Sequence, residues 1–157
     1  MERLKMNFDA SIFQDGENSR VGAIIRNDRE VMAALSAKGQ PVTGSDEPEI
    51  YACRRAVEFA VECGFSKLVL EGDNQALMDA LRTRQGRSSW LGYILQDVLL
   101  LLDGLRWVQV SFVKRSANNV AHVLARYAKD LVEDIVWIED SPPPVVEALY
   151  YDSISVE

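Results

Sequence analysis

From Leu4 to Phe8 apolar and polar side chains alternate, Leu4, Met6 and Phe8 against Lys5 and Asn7. A period of two commits the stretch to a strand with one face in a core. Asp9 stands where that strand is expected to end. Past a polar loop from Gln14 to Arg20, the runs Val21 to Arg26 and Glu30 to Lys38 flank a turn at Asn27-Asp28 and read as a hairpin. Three strands joined this way make an antiparallel meander, whose apolar face the remainder of the chain has to cover.

Gly39 to Ser45 reads as a loop, and Asp46-Glu47-Pro48-Glu49 opens a helix reaching about Cys63. Asp46 suits the cap, Pro48 the first turn and Gly64 the stop, and Glu49 lies three residues past the cap. The apolar stripe Cys53, Ala56, Val57 and Ala60 puts Glu49 at the edge of the inward face. Lys67 to Glu71 is too short for a helix and too apolar for a loop, so it is expected to be a buried parallel strand reached by the helical crossover. Asp73 follows it directly. Asn74 to Leu81 reads as a short helix, and Ser88-Ser89 caps another carrying Leu91, Ile94, Leu95, Val98 and Leu102 at helical spacing. Trp107 to Val113 is a further strand. The last long helix runs from about Ala117 to Leu131, with His122 at the border of its inward face. The order is βββαβααβα. Ser141-Pro142-Pro143-Pro144 reads as a rigid extended spacer, and Val145 to Tyr151 as a turn or two of helix. The expected division is a domain over 1–135 and an acidic tail over 136–157 packed on it.

At 157 residues, 48% apolar and 26% charged, the chain suits one core. Cys53 and Cys63 lie in one helical pattern about 15 Å apart at 1.5 Å per residue, too far to bridge, so free thiols and an intracellular setting, nuclear or cytoplasmic, are expected. No signal peptide pattern opens the chain, and the longest aliphatic run, Val98 to Leu102, is far short of a membrane span. A net charge of −7 argues against a general nucleic-acid binder. The charge is unevenly spread, however. Arg106, Lys114, Arg115, Arg126 and Lys129 share a stretch without an acid, Arg82, Arg84 and Arg87 crowd another, and Glu139 to Glu157 holds acids only.

Asp9, Glu49 and Asp73 each have a plain explanation, as turn residue, capping-box partner and helix cap. Taken together they point elsewhere, because neighbouring first and fourth strands, with the crossover helix starting at the same edge, deliver all three to one patch. Two carboxylates about 5 Å apart repel by roughly 3 kcal/mol at an effective dielectric of 20, so a divalent cation or a bound proton has to relieve them. Oxygen ligands select magnesium or manganese, and such a site suits two-metal hydrolysis of a phosphodiester.

Asn7-Phe8-Asp9-Ala10, Gly22 to Asp28, Pro48-Glu49-Ile50-Tyr51-Ala52, Leu70 to Gln75 and Arg115 to Ala125 resemble, in order, the blocks of the ribonuclease H family. The closest likeness is to the plant reverse-transcriptase-like, retrotransposon-type domain, over roughly Leu4 to Leu131 and into the tail. The resemblance implies an α/β fold with a five-stranded mixed sheet, three antiparallel strands then two parallel, and helices on both faces. It also implies a metal-dependent endonuclease cutting the RNA strand of RNA–DNA hybrids with Mg2+ or Mn2+. Asp9 would bridge both ions, Glu49 and Asp73 would ligate one each, and His122 would take the place of a fourth, usually aspartate, ligand. Contacts to nucleic acid are expected from Asn74, Gln75, Arg82, Arg84, Arg87, Lys114, Arg115 and Asn118. Ala10 stands where the family commonly has glycine in a turn, and Asp46 and Glu47 stand where asparagine usually precedes the helix glutamate. The alternative is a silent ribonuclease H-like module that binds nucleic acid, or a protein through its acidic tail. A monomer is expected, and no membrane partner.

Overall fold

A computed structural model describes residues 3–13, 18–41, 47–85 and 90–154. Its strands are β1 Lys5–Ile12, β2 Asn18–Arg26, β3 Val31–Pro41, β4 Lys67–Gly72, β5 Trp107–Phe112 and β6 Ile135–Ile138. The helices are α1 Glu47–Glu62, α2 Gln75–Thr83, α3 Trp90–Asp103, α4 Asn119–Tyr127 and α5 Val146–Ile154. One sheet runs in the order β5-β4-β1-β2-β3-β6. The meander is antiparallel as expected, and β4 joins β1 in parallel, with β5 parallel to β4. The strand count is six rather than five. β6 pairs antiparallel with the outer edge of β3, from Ala33↔Ile138 to Ser36↔Ile135, so a segment assigned in part to the tail covers a sheet edge that would otherwise stand open.

The two faces of the sheet pack separately. Met6, Phe8, Val21, Ala23, Ile25 and Leu35 face a large core completed by Cys53, Ala56 and Val57 of α1 and Leu95, Val98 and Leu102 of α3. On the other face Ile24 and Ala34 meet Val120 and Leu124 of α4 and Val145. Alternation along β1 sends Met6 and Phe8 to the large core and leaves Asn7 and Asp9 on the α4 side. Cys53 is buried, Cys63 half-buried, and both are free. Among the described residues no helix is long and apolar enough to cross a membrane.

Several boundaries differ from expectation for local reasons. β1 does not stop at Asp9: Ala10 pairs with Val21 and Ile12 with Ser19. No turn exists at Ala10, its φ is not positive, and its Cβ needs no glycine's freedom. β3 runs on through Gly39 to Pro41. The last helix is divided, with 3₁₀ turns at Arg115–Asn118 and Ala128–Asp130 around α4. The proline stretch is not extended throughout, since Pro143–Val145 is a 3₁₀ turn in which the Val145 N–H donates to the Pro142 carbonyl at 3.0 Å. A proline φ suits both conformations, and burial of Val145 decides between them. The expected caps Asp46, Ser88 and Ser89 lie outside the described residues.

Helix α4 sits unusually close to β2 because Gly22 has no side chain. A Cβ there would collide with the Ala121 carbonyl oxygen and the Ala125 nitrogen and come within 2.8 Å of Leu124 Cβ. Gly22 also pairs with Asp9, so this contact sets the height of α4 above the acid. Gly22→Ala is expected to cost about 1–3 kcal/mol, as overpacking does. Denaturant unfolding checks this, and a variant as stable as the wild type would show that α4 does not bear on Gly22.

Candidate active site

The ladder between β1 and β4 ends at Asn7↔Glu71. Two residues further along stand Asp9, still within β1, and Asp73, just past the end of β4, and Glu49 arrives in the first turn of α1. One carboxylate oxygen from each of the three lies within 4.8 Å of the others. The plain reading of Asp73 fails, because Asn74 caps α2, its side chain accepting from the Leu77 N–H at 2.9 Å. Asp9 is fully buried. Asp9 Oδ1, Glu49 Oε2 and Asp73 Oδ2 are buried without a hydrogen-bond partner, and Ser11 Oγ is the only other such atom among the described residues. Carboxylate oxygens in this state are costly.

The electrostatics follow from that crowding. Burial, then the charges of Asp9 and Asp73, push Glu49 up to about 9, and the Ala10 N–H offsets only part of this. Asp9 is also raised, first by burial and then by Asp73, against the opposing pull of His122, the Ala10 N–H and Arg115. At neutral pH without a cation, Glu49 therefore keeps its proton.

Opposite the acids, α4 places His122 with Nδ1 2.9 Å from Asp9 Oδ2. Arg115 Nη2 lies 2.7 Å from the same nitrogen and 3.2 Å from Nε2. Nδ1 cannot serve both partners, so Nδ1–H donates to Asp9 and Nε2 accepts from Arg115. Arg115 Nη1 is 3.8 Å from Asp73 Oδ2, within ion-pair reach but too long for a hydrogen bond. Arg115, expected as a nucleic-acid contact, thus reaches into the acid cluster.

Asn118, expected to touch nucleic acid, does not reach the surface. It is 1% exposed; its Nδ2 donates to the Phe8 carbonyl at 2.9 Å and its Oδ1 accepts from Asn7 Nδ2 at 3.0 Å. Asn7 donates as well to Glu71 Oε1 at 3.1 Å. These bonds tie the start of α4 to the strand bearing Asp9, a positioning role. Sequence reasoning misses Asn7, although its place two residues before Asp9 on the same face is a usable signal.

The remaining expected contacts scatter. Gln75 is exposed beside Asp73, Asn74 is occupied as a cap, and Lys114 is exposed next to Arg115. Arg82 and Arg84 lie at the far end of α2, paired with Asp79 at 3.3 Å and Asp103 at 2.9 Å. Arg87 is outside the described residues.

The model of the family described as reverse transcriptase-like matches residues 7–128, a span that contains all three acids and His122. The chain belongs to this family of ribonuclease H-type domains. No curated protein matches the chain. Solved ribonucleases H share the fold of this reverse transcriptase-like domain. RNase H1 from the halophilic archaeon Halobacterium salinarum superposes with a TM-score of 0.73 at 24% identity, covering 82% of this chain and 98% of that one. The N-terminal RNase H domain of a Mycobacterium tuberculosis protein gives 0.71 at 17% identity, covering 83% and 95%. LC11-RNase H1, in complex with an RNA/DNA hybrid, gives 0.71 at 14% identity, covering 82% and 97%.

Proposed function

We propose that this reverse transcriptase-like domain is a metal-dependent endonuclease that hydrolyses the RNA strand of RNA–DNA hybrids. The observation that carries the reading is the convergence of three acids, one carboxylate oxygen of each within 4.8 Å of the others, each acid also carrying a buried oxygen without a hydrogen-bond partner. All-oxygen donors with unsatisfied lone pairs fit a hard divalent ion, magnesium or manganese, and Asp9, Glu49 and Asp73 are the residues that would hold it, with His122 able to join them once Arg115 leaves its Nε2. When bound, two such ions supply an activated water and stabilisation of the leaving oxygen. The chain's own groups do the rest. Asp9 is fixed by its strand and by His122, Asn118 holds α4 against β1, and burial keeps bulk water from competing for the acids. Membership of the family and the hybrid complex of a structural relative support the choice of substrate.

A second reading is a silent module, and Arg115 favours it, because a guanidinium against His122 and near Asp73 supplies without metal part of the positive charge the acids need. Cleavage of labelled hybrid, duplex RNA and single-stranded RNA, each with magnesium, manganese or chelator, separates the two. The nuclease reading expects metal-dependent cutting of hybrid above the other substrates, and the silent module expects none.

His122 refines the metal preference. Imidazole in place of a carboxylate removes one negative charge and offers nitrogen, which weakens the hold on magnesium more than on manganese. His122→Asp is expected to raise the magnesium-to-manganese activity ratio, and His122→Ala to lower activity with either ion by about tenfold or more. Unchanged rates in both variants would leave a three-carboxylate site.

A further inference from the structure

Phe13, the residue after β1, is surrounded by cations. The guanidinium carbons of Arg20 and Arg126 lie 5.8 and 5.7 Å from its ring centroid, and Lys129 Nζ lies at 5.5 Å. Each distance suits attraction to an aromatic face. Arg20 is already committed: it is buried, and it donates to the carbonyls of Ala128 at 3.1 Å and Lys129 at 3.2 Å, closing the end of α4. Arg126 and Lys129 are exposed and form no ion pair with a described residue. Among the described residues, then, the exposed cations on this ring have no acidic partner and can take an anion.

The location narrows the anion. Period-two alternation puts Asp9, Ser11 and Phe13 on one side of the strand direction, and His122 and Arg126 lie one turn apart on α4, with Lys129 following in the 3₁₀ turn Ala128–Asp130. Both stripes lead from the acid cluster to the cations. Four residues of extended chain cover about 13 Å, a distance that a strand lying with one bond at the acids spans with its neighbouring backbone. The cations therefore lie within reach of the backbone flanking a bond held at the acids.

We propose that Arg126 and Lys129, ordered on Phe13, form a phosphate-binding surface that grips the backbone of a nucleic-acid strand whose scissile bond lies at Asp9, Glu49 and Asp73. This rests on the nuclease reading for the identity of the ligand. It also places the grip on α4 and the 3₁₀ turn after it rather than on the ion-paired arginines at the end of α2.

The test is binding of labelled hybrid to the full chain in chelator, at several salt concentrations, with cleavage by the metal-loaded protein measured alongside. Arg126→Gln combined with Lys129→Gln is expected to weaken hybrid binding about tenfold and to reduce the slope of log affinity against log salt by about 2, since each phosphate contact contributes about 0.9. Arg29→Gln, a charge loss on the exposed β2–β3 turn, is expected to change affinity less than twofold. If the wild type cuts hybrid while the double variant binds it with unchanged affinity and slope, the surface is refuted and the nuclease reading stands. If the wild type cuts nothing while the double variant still loses hybrid binding, the nuclease reading fails and the surface stands. If the double variant loses binding to polyglutamate and not to hybrid, the patch is a protein-docking surface and the proposal is overturned.

Discussion

Asp9→Asn is expected to abolish cleavage and, in chelator, to make the protein more stable than the wild type. Asparagine keeps the shape and can still accept from His122 Nδ1–H, so the bond seen at 2.9 Å survives. The charge is what disappears. With the acid oxygens within 4.8 Å of each other, loss of the Asp9 charge relieves its repulsion with Asp73, on the order of 3 kcal/mol at an effective dielectric near 20, Glu49 being protonated. Activity should fall by more than about a thousandfold, since removing even an outer-shell partner of a metal costs about 10–100-fold. The stability gain is the more discriminating half. A thermal scan in chelator with Asp9→Asn clearly below the wild type would mean that the carboxylate is there for the fold.

The second large effect is the dependence of metal-free stability on pH. Glu49 takes up its proton at about 9 in the folded chain against its ordinary 4.5. Between these values the folded state binds a proton that the unfolded state has lost, so stability falls as pH rises. Asp9, raised as well, adds to the same trend. In chelator the protein should therefore be most stable near pH 5 and lose on the order of a few kcal/mol by pH 9, a slope set by 1.36 kcal/mol per pKa unit. Magnesium or manganese should reverse the trend, because an ion bound by deprotonated carboxylates in the folded state alone stabilises it more as pH rises. Urea melts across pH 5–9 with metal and with chelator check this. Identical pH profiles in the two conditions would mean that the acids do not hold the ion.

The acids are legible in the sequence because each adjoins a boundary that periodicity marks: Asp9 on an alternating strand, Glu49 in the first turn of a helix, Asp73 after a short apolar strand. Their convergence follows from β4 pairing in parallel with β1, which the crossover helix dictates. The features that escape sequence reading depend on partners distant in the chain. Ile135–Ile138 has no polar alternation of its own and becomes a strand because β3 offers a free edge. Asn118 sits in a polar run that reads as surface, and only its bond to the Phe8 carbonyl, 110 positions away, makes it a tie. Arg115 reads as one of a row of basic residues, and its reach to His122 depends on the 3₁₀ turn preceding α4. Ala10 falls on a turn by resemblance, while the pairing of β1 with β2 carries it straight on.

The most direct test is a metal titration of cleavage on hybrid labelled separately in its RNA and DNA strands, starting from chelated protein. The expected result is that the RNA strand is cut at a rate that rises and saturates with manganese or magnesium, that the DNA strand stays intact, and that chelator stops the reaction. Equal cutting of both strands, cutting that persists in chelator, or no cutting at any metal concentration would contradict a metal-dependent hybrid nuclease built on Asp9, Glu49 and Asp73.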